Sequence, residues 1–105
     1  MRSTEFDTYI IYHEQQPDSN VMAVITCFLE NITVGYIEFV NGNVPDPEIL
    51  PNGTMRLFFP YERYSNIINT IRYEKPLFIS IYGKKCVVST VKEPVGEQEG
   101  TLERN

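Results

Sequence analysis

Runs of strand-forming residues make up most of this chain, and clusters of proline, glycine and asparagine separate them. The β-branched and aromatic residues of these runs favour strands, while the separating clusters favour turns. The pattern predicts six strands, over residues 6–14, 21–29, 32–40, 54–59, 77–82 and 85–91. The short connections Glu30-Asn31 and Gly83-Lys84 are expected to form tight hairpins.

One segment has the period of a helix instead. Its apolar residues recur at i, i+3, i+4 and i+7, and they are Tyr64, Ile67, Ile68 and Ile71. The segment Glu74-Lys75-Pro76 is expected to end the helix. A helix of about 14 residues is marginal in isolation. The apolar stripe is therefore predicted to be buried against the strands.

Two features concern how the strands are connected. Gly35 interrupts the third predicted strand, and a missing side chain there is typical of a bulge or of the bend of a barrel. Residues 41–53 carry three prolines and two glycines, which remove backbone donors and favour turns over a strand ladder. They are predicted to form one long loop. Loops of this length are often functional, but an ordinary surface crossover is the simpler interpretation.

The predicted order of elements is β-β-β-β-α-β-β, with hairpin-length connections that indicate antiparallel pairing. The fold class is therefore α+β, mostly β, with about six antiparallel strands in a small, partly closed barrel or bent sheet capped by the helix. A flatter antiparallel sheet with the helix on one face is the alternative. Residues 1–92 are expected to form a single domain. Residues 93–105 have few apolar side chains and a negative charge, which predicts a flexible acidic tail.

The composition fits a globular domain. Hydrophobic residues make up 42% of the chain, enough to form a core without metals or disulfides. No run approaches the roughly 20 apolar residues of a membrane-spanning helix, and the N-terminal segment lacks the apolar stretch of a secretion signal. A cytoplasmic location without membrane contact is expected. Cys27 and Cys86 lie in apolar runs and are expected to be buried, reduced thiols.

The charges are unevenly distributed. Residues 1–53 hold one basic side chain and eight acidic ones, whereas residues 54–92 hold seven basic and two acidic ones. Cations interleaved with aromatic rings bind single-stranded nucleic acid when both share one face. A pI near 4.8 opposes phosphate binding at long range, so nucleic acid is the less favoured partner. The candidate interaction surface of this basic half comprises Arg56, Arg63, Arg72, Tyr73, Lys75, Lys84 and Lys85.

The chain offers little catalytic or metal-binding equipment. A nucleophile needs a neighbouring base, and nothing in the sequence pairs the only histidine, His13, with Cys27 or Cys86. Zinc sites need several Cys and His residues at short spacing. Asp46 and Glu48 lack the pattern of a calcium loop and are expected to be solvated loop charges. No glycine-rich phosphate-binding motif precedes the helix. Neither a metal nor a cofactor is expected.

Glu38 is the first residue to inspect for acid–base chemistry, because it lies within the otherwise apolar segment 36–40. A solvent-facing position on the strand explains it as well. The sequence favours a non-enzymatic interaction module that self-associates or binds a protein partner through a strand edge, the polar side of the helix or an aromatic patch. Two alternatives are a small barrel that binds single-stranded nucleic acid through residues 54–92 and an enzyme with a composite acidic or thiol site.

Overall fold

The computed structural model describes residues 1–14 and 17–91, so the predicted acidic tail at 93–105 lies outside the described residues. These ranges contain one helix, α1 (Tyr64–Tyr73), which follows a 3-10 turn at Tyr61–Arg63. The strands in the same ranges are β1 (Arg2–Phe6), β2 (Thr8–His13), β3 (Val21–Leu29), β4 (Ile32–Val40), β5 (Glu48–Ile49), β6 (Met55–Pro60), β7 (Leu77–Tyr82) and β8 (Lys85–Ser89).

The strands form two sheets. One has three antiparallel strands in the order β1-β7-β8, and the other has five strands in the order β2-β3-β4-β6-β5. Every pairing is antiparallel except that of β4 with β6, which is parallel. The predicted class, α+β and mostly β, is confirmed. In the part of the chain that the structure describes, the sheets do not close into a barrel.

Three details of the predicted strand arrangement are wrong. The strand predicted over 6–14 is two strands in different sheets, separated at Asp7. The loop predicted over 41–53 contains the short strand β5, in which Glu48 pairs with Arg56. Residues 41–53 also carry the chain back towards the N-terminal end of β4. Strand β6 therefore runs parallel to β4 and not antiparallel.

The hydrophobic core lies between the two sheets and the helix. In β3, the completely buried side chains are Ala23, Ile25 and Cys27, at every second position, as expected for a strand with one face turned inward. The largest fully buried side chains come from both sheets and include Phe6, Ile25, Ile37, Phe39, Met55, Leu57 and Ile79.

The predicted helix stripe is confirmed. Ile67, Ile68 and Ile71 are buried, and Tyr64 packs against the same core cluster. Full burial of one such apolar side chain is worth about 1.5–3 kcal/mol, which offsets the cost of ordering a helix this short. Glu74 follows the helix in an extended conformation, so α1 ends at Tyr73.

Both predicted hairpins are also present. Between β3 and β4, Leu29 pairs with Ile32, and Glu30 and Asn31 have positive φ angles of 53° and 69°. Positive φ at both central residues is what a type I′ turn requires. The backbone N–H of Glu30 donates to Asp7 Oδ2 at 3.2 Å, which ties this turn to the β1–β2 corner. The β7–β8 hairpin turns at Gly83, which has a φ of 62°.

The irregularity expected at Gly35 is a β-bulge. Cys27 pairs with Gly35 and Phe28 pairs with Thr33, so Val34 is the extra residue on β4. The bulge lies near the hairpin end of β4, where the five-stranded sheet meets the three-stranded sheet across the core.

Candidate functional site

The seven residues of the candidate interaction surface lie in three parts of the fold. Arg72, Tyr73 and Lys75 lie at or just beyond the C-terminal end of α1. Arg63 and Lys85 line one groove together with Cys86, and Lys84 lies in the adjoining β7–β8 turn. Arg56, on β6, belongs to neither group. The structure therefore brings Arg72 together with Lys75 and Arg63 together with Lys85.

Arg56 is engaged by two carboxylates. Its Nε donates to Glu38 Oε2 at 2.9 Å, and a terminal guanidinium nitrogen donates to Glu48 Oε2 at 2.7 Å. The guanidinium also lies over the Phe58 ring, 4.9 Å from its centroid. The pKa of the Arg56 guanidinium is raised, mainly because it donates this hydrogen bond to the Glu38 carboxylate. This cation ties β4 and β5 to β6.

Glu38 is not the solvent-facing residue that the sequence allowed. Its side chain is only 11% exposed, and its carboxylate is held by the ion pair with Arg56. Glu48, expected to be a solvated loop charge, shares the same guanidinium but is half exposed. A buried carboxylate with a fixed cationic partner serves as a structural link between strands.

His13 ends β2 and contacts the helix. Its Nε2 lies 3.0 Å from the Tyr64 hydroxyl, and the two rings meet edge to face with centroids 5.4 Å apart. Tyr64 also meets Phe39 edge to face. The pKa of the Tyr64 hydroxyl is raised, mainly because burial disfavours its charged form. The histidine thus fixes the end of β2 against α1.

Both cysteines are free thiols whose neutral form is favoured. Cys27 is completely buried, and burial raises its pKa from its ordinary value of 9.0 to about 12. Cys86 is half buried, donates to the Phe58 carbonyl oxygen at 3.4 Å, and has a pKa raised mainly by burial. A protonated thiol is a poor nucleophile. Within residues 1–14 and 17–91, no group of three or more His, Cys, Asp or Glu side chains is placed to hold a metal ion.

Among the strands that the structure describes, β2 has a free edge. It is the outermost strand of the five-stranded sheet, pairing with β3 on one side, and no described strand pairs with its other side. The register runs without a shift from Thr8–Phe28 to His13–Ala23. Its sequence, Thr-Tyr-Ile-Ile-Tyr-His, contains no proline, lysine or acidic residue. The bulges, prolines and charges with which proteins commonly protect an edge are therefore missing from β2.

The outer face of β2 is apolar and exposed. Ile10 and Tyr12 are each 46% exposed, whereas Tyr9 and Ile11 on the opposite face pack against the core. This arrangement anchors the strand by one face, and the described part of the chain leaves its edge unpaired and its other face exposed. Sequence reasoning placed a strand here but did not identify it as an edge, because the order of strands in a sheet depends on distant pairings. The run of four apolar residues in an uncharged strand is the signal that was available.

A cleft of about 610 Å³ lies where the end of α1 meets the β1–β2 corner. Its floor is apolar and includes the buried side chains of Phe6, Ile71 and Leu77. Both acidic and basic residues surround this floor. The lining residues are Glu5, Phe6, Asp7, Tyr9, Ile71, Arg72, Glu74, Lys75, Pro76 and Leu77.

Comparison with known proteins gives no family assignment, since no family model, no curated protein and no solved structure matches the chain. In the described part of the chain, no helix combines the length and the apolar content needed to cross a membrane.

Proposed function

We propose that this protein is a non-enzymatic interaction module that self-associates by pairing the free edge of β2 with β2 of a second copy. The observation that carries the proposal is the unprotected edge of β2 beside the exposed side chains of Ile10 and Tyr12. An unpaired edge presents N–H and C=O groups that another strand can satisfy. Pairing there would extend the five-stranded sheet across two copies.

The composition of β2 suits a second copy as its partner. Between Asp7 and Glu14 the strand has no formal charge when His13 is neutral, so two copies approach without like-charge repulsion along its length. β-branched and aromatic residues have the highest preference for strands. A two-fold interface uses the same surface twice, so one self-complementary strand is sufficient to build it.

Strand geometry restricts the register. A two-fold axis perpendicular to the sheet keeps the outer faces of both β2 strands on the same side of the extended sheet. Directly paired residues must therefore both have even numbers or both have odd numbers, because side chains alternate between the two faces. Centred on Ile10, this pairing places Ile10 against its counterpart and Tyr12 against Thr8 of the second copy. Each such cross-strand pair contributes about 0.2–1 kcal/mol. Six residues span about 20 Å, which gives an interface at the small end of the known range and a reversible dimer.

The other two hypotheses have less support. The ion pairs of Arg56 with Glu38 and Glu48 leave fewer cations available for phosphate than the sequence suggested. The raised pKa values of Cys27 and Cys86 disfavour a thiolate nucleophile. The ion pairs thus count against a nucleic-acid-binding protein, and the raised pKa values count against a thiol enzyme.

Sedimentation velocity over a range of protein concentrations tests the proposal. We expect a reversible monomer–dimer equilibrium for the wild type, and dimer formation weakened by about tenfold or more in Ile10→Lys and Tyr12→Lys, because both place a charge beside the paired edge. The matched control is Ile32→Lys, since Ile32 is 67% exposed but lies at the β3–β4 hairpin. This control should dimerise like the wild type.

Two results would contradict the proposal. One is a wild-type protein that stays monomeric up to millimolar concentration. The other is a dimer that Ile10→Lys and Tyr12→Lys leave as tight as before. Far-ultraviolet circular dichroism of each variant separates a lost interface from a lost fold, and because Ile10 and Tyr12 are half exposed the fold should persist.

A further inference from the structure

The cleft between α1 and the β1–β2 corner has the size of a small-molecule site. Its volume of about 610 Å³ falls within the range of about 300–1,000 Å³ that is typical of ligand pockets. Phe6, Ile71 and Leu77 are almost completely buried and form its apolar floor, and Tyr9 adds a partly buried ring. An apolar side chain of a ligand would lose its contact with water on this floor.

Charges of both signs line this floor. Glu5 and Asp7 come from the β1–β2 corner, and Arg72 and Lys75 come from the end of α1 and the segment that follows it. Among the residues that the structure describes, none of these four side chains forms an ion pair with another. Their charges are thus available to a ligand that carries both signs.

The acidic side of the cleft is the stronger one. Asp7 accepts one backbone N–H, from Glu30, at 3.2 Å. On the other side, the last carbonyl groups of α1 carry the negative end of the helix dipole next to Arg72, which opposes a carboxylate bound there. A bound ammonium group should therefore contribute more to affinity than a bound carboxylate.

We infer that this cleft binds a small zwitterion with an apolar side chain, of the size of a hydrophobic dipeptide. The ammonium group lies by Glu5 and Asp7, the carboxylate lies by Arg72 or Lys75, and the apolar side chain covers Phe6 and Tyr9. This site uses the helix side of the molecule. It requires neither the free edge of β2 nor a second copy.

Titration of the isotope-labelled full chain with the dipeptide Leu-Phe, followed by NMR, tests the inference. The same titration with N-acetyl-Leu-Phe and with Leu-Phe amide removes one charge at a time. We expect shifts at the residues of the cleft, binding weakened by about tenfold on acetylation, and a smaller loss of about threefold on amidation. Binding should have the same affinity in Tyr12→Lys, which separates this site from the proposed dimer.

Variants locate the ligand within the cleft. Glu5→Gln should weaken the free dipeptide but not its acetylated form, and Lys75→Gln should weaken the free dipeptide but not its amide. Lys84→Gln is the matched control, because Lys84 is an exposed lysine in the β7–β8 turn. The inference is overturned if no cleft residue shifts at about 10 mM dipeptide, if the three ligands bind equally well, or if Lys84→Gln has the effect expected of Lys75→Gln.

Discussion

Ile79 of β7 packs against the backbone of Gly35 in β4, in the space that a β-carbon at residue 35 would occupy. The carbonyl oxygen of Met55 lies 3.1 Å from the same point. Gly35 belongs to the five-stranded sheet and Ile79 to the three-stranded sheet, and both are in the core. The missing side chain therefore sets how closely the two sheets approach.

The first prediction concerns this contact. Gly35→Ala should destabilise the protein by about 1–3 kcal/mol, because the new methyl group overlaps Ile79 Cδ1 in a packed core. Ile79→Val removes that atom and should cost about 0.5–1.5 kcal/mol alone. Urea unfolding of both variants and of the double variant measures the coupling. The double variant should lose less stability than the sum of the two single losses. If the two losses simply add, the contact between residues 35 and 79 does not limit the spacing of the two sheets.

The second prediction concerns the helix stripe. Ile68→Ala should lower the free energy of unfolding by about 2–5 kcal/mol, since it opens a cavity beneath α1. Asn69→Ala is the neighbouring control, because Asn69 is exposed and alanine is the better helix former. Urea denaturation should show a change within about 0.5 kcal/mol for this control. Equal losses in the two variants would mean that the stripe does not face the core.

The sequence predicted those elements whose causes are local. The helix follows from a stripe that repeats within eight residues, and that stripe is buried as expected. The two hairpins follow from turn chemistry at Glu30-Asn31 and Gly83-Lys84. The bulge beside Gly35 follows from a missing side chain within an apolar strand. Each of these features depends on residues that are neighbours in the chain.

The sequence did not predict features that depend on distant pairings. Residues 6–14 read as one strand because most of them favour strands. In the structure β1 pairs with β7 and β2 pairs with β3, so the chain divides at Asp7. The parallel pairing of β4 with β6 is set by a crossover rather than by local turn residues. The free edge of β2 and the cleft beside α1 also arise from the order of the strands. Candidate sites of this kind need a three-dimensional structure.

The third prediction concerns the ion pairs of Arg56. Arg56→Met should lower stability by about 2–3 kcal/mol, because it leaves the nearly buried carboxylate of Glu38 without a cation. Glu48→Gln should cost less than about 1 kcal/mol, since Glu48 is half exposed. Urea unfolding at neutral pH measures both losses. Adding Glu38→Gln to Arg56→Met should recover part of the stability, and no recovery would mean that Glu38 is not the source of the loss.

The fourth prediction concerns the reactivity of the two thiols. At about pH 8, an aromatic disulfide reagent should modify Cys86 in the native protein and leave Cys27 unmodified until the protein unfolds, because Cys27 is completely buried and its pKa is about 12. The half-buried Cys86 should still react slowly, since burial raises its pKa as well. The kinetics can be followed by absorbance, with Cys27→Ala and Cys86→Ala identifying each phase. Fast native modification of Cys27 would contradict its burial.

The same pKa shift makes stability depend on pH with a definite sign. The thiol of Cys27 titrates near 9 when unfolded and near 12 when folded, so between these values the folded state binds more protons. The contribution of Cys27 to the free energy of unfolding is therefore fully present below pH 9 and is lost as the pH rises through that window. Urea unfolding at about pH 8 and about pH 10 should show a larger fall for the wild type than for Cys27→Ala. The pKa values of Cys86 and Tyr64 are raised as well, but both residues remain in both proteins, so the difference between the two falls in stability is due to Cys27. Equal falls in the two proteins would mean that the Cys27 thiol is in contact with water.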